Sequence, residues 1–274
     1  MRKIGINAEI GFGIEVPEMM ARIRDAGFDA VFVSWYDDCP LAAWKAESLA
    51  LGLEMPFIHA PFSKIEYIWE DHALGDWVLG TQLACVEDAA KNDIPIVVCH
   101  VYKGFDKEKK PTEIGLARIK KLLDFAAENG VRVAFENTEG EIYLDAVLKA
   151  FWDHPATGFC IDSGHELCYN YGHDLISKYG EKLIATHIDD NLGISGESIF
   201  WHDDLHVLPW DGRVDFDSFV KRVKATDFSD PLMFELTVKS KPNRTENDRY
   251  REMGCDAYLK EAYARACRLA KMFD

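Results

Sequence analysis

Within nine residues, Cys160-Ile-Asp-Ser-Gly-His-Glu-Leu-Cys168 gathers thiols, carboxylates and an imidazole, the side chains that hold metal ions. Seven residues separate the two cysteines, more than the about two to four of a zinc knuckle, so a thiolate-bound structural zinc is not favoured. Asp162 and His165 are the alternative, on a metal that prefers oxygen and nitrogen. Similar short polar runs recur along the chain: His59 in FIHAP, His100 in VVCHVY, Glu136 in AFENT and His187 in THIDDN. Asp204 and His206 lie in DDLHVLPWDG and Glu235 in MFELT. Each alone reads as a solvated or hydrogen-bonded loop residue. Their chemistry depends on whether the fold brings them together.

The elements that precede these runs supply the answer. Short β-branched, continuously apolar segments predict strands over Lys3–Asn7, Ala30–Ser34, Met55–His59, Ile94–His100, Val131–Asn137, Thr157–Asp162, Leu183–Asp189 and Leu232–Leu236. Continuous rather than alternating runs suit strands buried on both faces of a parallel sheet. Helices are expected over Pro17–Ala26, with proline in the first turn and Gly27 as the stop, and over Gly80–Lys91, Thr112–Asn129, Phe216–Ala225 and Ala257–Met272. Eight strands alternating with helical or loop segments predict an α/β fold, one (β/α)8 TIM barrel spanning residues 1–274. A doubly wound open sheet would carry GxGxxG after the first strand, and only Gly11-Phe-Gly13 stands there.

In a barrel, the carboxyl ends of the strands open into one mouth. Glu136, Asp162 and Glu235 would meet there beside His187, and buried carboxylates repel one another unless a cation or proton compensates. One divalent metal ion, Mn, Mg, Co or Zn, is the simplest compensation, with open positions for a substrate's vicinal oxygens. Such chelation polarises a carbonyl and acidifies the neighbouring C–H.

Composition narrows the partners. Acids outnumber Lys and Arg 47 to 31, for a formal charge of −16, which disfavours gripping a phosphate backbone. No apolar run reaches the length of a membrane span, and Glu9 and Glu15 break any signal-peptide core, so no membrane association is expected. Seven cysteines without a CxxC pair read as free thiols of a cytoplasmic protein. Trp35, directly after the second strand, is the candidate substrate wall. Tyr36, Tyr67, Trp69, Tyr102 and Trp201 suit either ring stacking or packing, including at the interface of a homo-oligomer. Lys103 reads as a solvated lysine, and no GxSxG elbow supports serine hydrolase chemistry.

Taken as a set and in this order, ENT, DxxH, HIxD, DxHxxP and FE resemble the xylose isomerase-like TIM-barrel superfamily over about residues 3–273. That superfamily holds sugar isomerases and epimerases, inositol-catabolism enzymes and type IV apurinic endonucleases. The resemblance implies that Glu136, Asp162, His187 and Glu235 hold a shared metal and that the two glutamates form an acid/base pair. It implies a carbohydrate isomerase or epimerase acting on a sugar or polyol, by proton abstraction next to a carbonyl through an enediolate held at the metal. His165 then contacts substrate oxygens, and His59, His100, Asp204 and His206 join it around the substrate. A related dehydratase or lyase begins with the same proton abstraction. The endonuclease branch offers another alternative, a trinuclear-zinc phosphodiesterase with additional Zn. His59, His100, Glu136, Asp162, His165, His187, Asp204, His206 and Glu235 match that whole ligand set. Two departures stand out: Pro209-Trp-Asp-Gly212 replaces a PGxG form, and Asp189-Asp-Asn-Leu-Gly193 lacks the arginine that ketose epimerases place after the seventh strand.

Overall fold

The computed structural model describes residues 2–106 and 108–274. Its strands are β1 (Ile4–Asn7), β2 (Ala30–Phe32), β3 (Phe57–His59), β4 (Ile96–His100), β5 (Arg132–Glu136), β6 (Thr157–Asp162), β7 (Leu183–His187) and β8 (Leu232–Phe234). Every one falls inside a segment read as a strand from the sequence. The ladders run β2-β1-β8 and β3-β4-β5-β6-β7, all parallel. Bridges Ser34↔His59 and Ile188↔Phe234 join the two ladders, so the strands close into the expected TIM barrel.

Around it lie α1 (Val16–Ala26), α2 (Leu41–Ala50), α3 (Ala73–Lys91), α4 (Glu113–Glu128) and α5 (Glu141–Ala150). They are followed by α6 (Ser163–Cys168), α7 (Leu175–Tyr179), α8 (Phe216–Lys224), α9 (Asp248–Met253) and α10 (Cys255–Lys271). The five helices expected from periodicity correspond to α1, α3, α4, α8 and α10. Helix α3 begins seven residues before the expected Gly80, where the His72 ring accepts the Leu74 N–H at 3.0 Å. Helices α2 and α5 were not expected: α2 is rich in Leu and Ala on all sides and shows no clear stripe, whereas α5 carries Tyr143, Leu144, Val147 and Leu148 at helical spacing and was readable. None of the described helices is long and apolar enough to cross a membrane. All seven cysteines are free.

Two apolar layers result. Between strands and helices lies the main core, which includes Ile4, Ile6, Val31, Val33, Val97, Val133 and Phe159. Inside the barrel a second, smaller set of Ala30, Phe32, Phe57, Ile96, Val98, Ala134, Cys160, Ile184, Ala185 and Met233 plugs the centre. The alternation of side chains along each strand divides them between the two layers. Parallel register then aligns His100 with Glu136 and Asp162 with His187, so that polar residues emerge above the plug on adjacent strands.

Candidate active site

The polar residues converge. Glu136, at the end of β5, is fully buried. Its Oε2 lies 3.2 Å from His59 Nε2 and 3.3 Å from His100 Nε2, and its Oε1 lies 3.1 Å from His165 Nδ1 and 3.4 Å from His187 Nδ1. His187 Nδ1 is also 3.2 Å from Glu235 Oε2. On the opposite side, Asp204 Oδ1 lies 3.2 Å from His165 Nε2 and 2.8 Å from His206 Nε2. Below, the His187 ring stacks on Phe32 at 5.0 Å, resting the site on the apolar plug. Nine of the ten residues singled out from the sequence therefore occupy one constellation.

Local hydrogen bonds explain why the motifs hold this geometry. Asn137, next to Glu136, donates to Asp162 O at 2.9 Å and accepts the Asp162 N–H at 2.7 Å, stitching the end of β5 to the end of β6. Thr138 ties the same turn to Tyr102 O at 3.0 Å. Asp162 Oδ1 accepts the His165 N–H at 2.6 Å and so starts α6 directly at the strand end. Of CIDSGHELC, Asp162 and His165 face the constellation, whereas Glu166 turns away to a bidentate pair with Arg222 at 2.7 and 2.8 Å. Cys160 sits in the plug, where burial pushes its thiol up to about 12. Gly164 is required because a Cβ there would come within 2.4 Å of Asp189 Oδ1.

Asp189 is a residue that sequence reasoning missed. Fully buried, it accepts the Gly164 N–H at 2.7 Å and lies 3.1 Å from His206 Nδ1. A carboxylate behind an imidazole orients it for ligation. The signal was its place two residues after His187, on the same side of the extended chain. Glu139 and Lys241 were missed as well. Glu139 accepts the Gly104 N–H at 3.1 Å, and Lys241 pairs with Asp204 Oδ2 at 3.0 Å.

Trp35 does not join them. Its indole is 5% exposed and donates to Asp88 Oδ2 of α3 at 2.9 Å. The reason is the two-residue period of β2: Phe32 faces the plug, so Val33 and Trp35 face the helices. The cleft above the constellation, about 470 Å³, is walled instead by Phe62, Phe105, Tyr169 and Trp201. Phe62 lies flat on His100 at 4.5 Å, and Lys103 Nζ stands 4.7 Å over the Phe62 ring. Lys103 thus stands at the cleft rim and remains exposed to solvent. Of the other aromatic residues noted near the mouth, Trp69 and Tyr102 are buried in packing, Trp69 donating to Val101 O at 2.7 Å.

Burial would lower His165, His187 and His206, yet the acidic groups around them outweigh it and raise all three well above the ordinary imidazole range. Burial would raise Glu136, yet His187 and His100 outweigh it and hold this carboxyl well below the usual range. Burial pushes Asp162 up to about 6 against the pull of His165 and His206. Burial and then the nearby Asp162 charge raise Asp189 well above the carboxylate range. Glu136 Oε1, Asp189 Oδ2 and Asp204 Oδ1 meet only imidazole nitrogens, at 2.8–3.4 Å, and Asp162 Oδ2 is buried without a hydrogen-bond partner, an arrangement that a bound cation would satisfy. Glu136, Asp162, His187 and Glu235 each offer one ligand atom, all within 4.8 Å of one another, which fits a divalent cation in an oxygen-rich shell. His59 with His100 and Glu136, and Asp162 with His165 and His206, form further groups of that size.

The departure at Pro209–Gly212 has a structural use. Asp211 pairs with Arg249 at 2.9 Å and Arg265 at 2.8 Å, and Trp210 packs under Arg268 at 3.8 Å, away from the cleft.

Comparison with known proteins agrees with this architecture. The barrel superposes on the D-psicose 3-epimerase of Clostridium cellulolyticum H10 with a TM-score of 0.74 at 15% identity, covering 99% of each chain. For a xylose isomerase domain protein of Planctomyces limnophilus the TM-score is 0.72 at 16% identity, covering 98% of this chain and 95% of that one. An L-ribulose 3-epimerase gives 0.72 at 18% identity, over 100% and 95%. In sequence, an uncharacterized protein, y4fM, of Sinorhizobium fredii is 34% identical over 151 residues, 53% of this chain. The match spans only 43% of that relative's length. Residues 20–255 match the family described as xylose isomerase-like TIM barrel, and the chain belongs to that family.

Proposed function

We propose that the protein is a divalent-metal-dependent sugar isomerase or epimerase. Glu136, Asp162, His187 and Glu235 would hold the metal, which when bound polarises a carbonyl and acidifies the C–H beside it. Supporting the reading is one observation above all: two carboxylates, Glu136 and Glu235, approach the same His187 nitrogen at 3.4 and 3.2 Å. They differ in access. Glu136 is sealed beneath four imidazoles, while the Glu235 side chain is 25% exposed and lines the cleft. Glu235 is therefore the base that reaches a substrate C–H first. Glu136 would complete the pair by passing a proton taken from His165, whose Nδ1 lies 3.1 Å from its Oε1, to the other face, or Glu235 itself returns the proton to the neighbouring carbon. His165 and His206, bridged by Asp204, face the cleft where they can donate to substrate hydroxyls. Aromatic walls shield the transfer from water. The superposed psicose and ribulose epimerases have this kind of substrate, and a small sugar or polyol is the partner proposed here. A related dehydratase or lyase would share the first step.

Glu235→Gln keeps the size and hydrogen bonding of the side chain but removes its basicity. With Mn²⁺ supplied, the parent protein should incorporate deuterium from D₂O into a responsive ketose, and the variant should lose this by about 10²-fold or more. Undiminished exchange in the variant would sink the assignment.

A second reading is favoured by one specific feature. The groups His59–His100–Glu136 and Asp162–His165–His206 share ligands with the central group, as a trinuclear zinc phosphodiesterase requires. Three firmly held zinc ions per chain together with cleavage of an abasic duplex would establish it. The net charge of −16 opposes a nucleic-acid partner.

A further inference from the structure

Beside the cleft lies a second cavity of about 390 Å³ that the proposed one-ring chemistry leaves unused. The two are neighbours with shared walls: Phe105, Glu139 and Tyr169 line both. Each volume is within the range of ligand pockets, ~300–1,000 Å³. Phe105 stands at their junction, its ring 6.3 Å from Tyr169 and 6.1 Å from Phe200.

The lining of the second cavity has a chemistry of its own. Tyr171, 51% exposed, and Ile142, 47% exposed, offer apolar surface to whatever enters. Asp106 and Glu139 add carboxylate oxygens around that surface. Flat apolar faces bordered by carboxylates suit a pyranose ring, whose C–H face stacks on an aromatic while its hydroxyls donate to the acids.

From this we infer that the substrate is larger than a monosaccharide: a ketose joined by a glycosidic oxygen to a second pyranose, which occupies the Tyr171 cavity. The ketose half sits above Glu235, and Glu139 faces the junction, where it binds hydroxyls flanking the linkage. This rests on the sugar isomerase or epimerase reading and specifies its substrate class.

Binding and exchange separate the two ideas. Calorimetry on the Mn²⁺-loaded protein compares D-fructose with lactulose and isomaltulose, two ketose disaccharides of different linkage, and D₂O exchange is followed on the same sugars. At least one disaccharide should bind about tenfold or more tighter than fructose. Tyr171→Asn removes the ring while keeping a residue that tolerates the backbone φ of 57° at this position. It should cost that disaccharide about tenfold in affinity and leave fructose binding and exchange unchanged. Equal affinity for one and two rings, or a Tyr171→Asn effect that is absent or identical for both, overturns the second subsite. Absence of exchange on every sugar, with disaccharide preference intact and lost in Tyr171→Asn, overturns the isomerase reading and leaves the two-ring site standing.

Discussion

Phe57, Val98, Ala134, Cys160, Ala185 and Met233 fill the barrel with apolar atoms, and two residues further along the same six strands stand His59, His100, Glu136, Asp162, His187 and Glu235. The inward face of each strand thus changes from plug to site in a single pleat repeat. On the two remaining strands the equivalent positions are Asn7 and Ser34. Asn7 closes the barrel by accepting the Leu236 N–H at 2.9 Å and donating to Leu236 O at 3.0 Å. What differs between the layers is how their groups are satisfied. The plug needs only neighbours of the right shape. The layer above it holds carboxyl and imidazole groups that pair with one another at 2.8–3.4 Å and leave Asp162 Oδ2 without a partner. One layer holds the barrel together, and the other spends some of that stability on a reactive arrangement.

Breaking the upper layer should give the largest effect. Glu136→Gln removes the carboxylate that four imidazoles surround, and with it one metal ligand and half of the acid/base pair. Turnover should fall by about 10³-fold or more, equivalent to ~4 kcal/mol of barrier, and metal per folded chain should drop, while circular dichroism remains that of a folded barrel. Metal content and exchange rate at parental levels would reduce the constellation to a hydrogen-bonded polar layer. Disturbing the lower layer should do the reverse. Met233, 1% exposed in the plug, leaves a cavity when changed to Ala, at a cost of about 2–5 kcal/mol measured by urea unfolding. Metal affinity of the folded fraction should be unchanged. If it declines in step with stability, the layers are coupled and the contrast drawn between them is wrong.

The same two-residue repeat explains how much could be read in the sequence. Apolar β-branched runs marked all eight strands, and the polar residue closing each run marked the mouth, so His59, His100, Glu136, Asp162, His187 and Glu235 were legible once a barrel was inferred. Asp204 and His206 lie beyond a strand end and came through the motif instead. Glu139 and Lys241 were not legible. They reach the cleft from loops, whose course depends on contacts distant in sequence, such as the Gly104 N–H that holds Glu139 and the Asp204 carboxylate that holds Lys241. Helix α2 lacks an apolar stripe because Leu and Ala stand on all its sides, while α5 carries its stripe at Tyr143, Leu144, Val147 and Leu148 and could have been read. Asp189 was readable from its spacing after His187, but a run of two aspartates gives no local sign of which one is buried against a histidine.

Trp35 tests the repeat at its smallest expected effect. Proximity to the end of β2 made it a wall candidate, but counting in twos from Phe32 reaches Ser34 and passes over it. Its ring packs in the outer core, and its N–H reaches Asp88. Trp35→Phe keeps most of the apolar area and deletes that one bond to a carboxylate, so stability should fall by about 1–2 kcal/mol. The exchange rate and the sugar affinity should not move, because nothing in the cleft is altered. A selective rise in KM with stability intact would mean that the indole reaches substrate in the working enzyme. The face of β2 would then be set by the loop that follows it, and the pleat repeat would cease to be a guide to which strand-end residues meet the substrate.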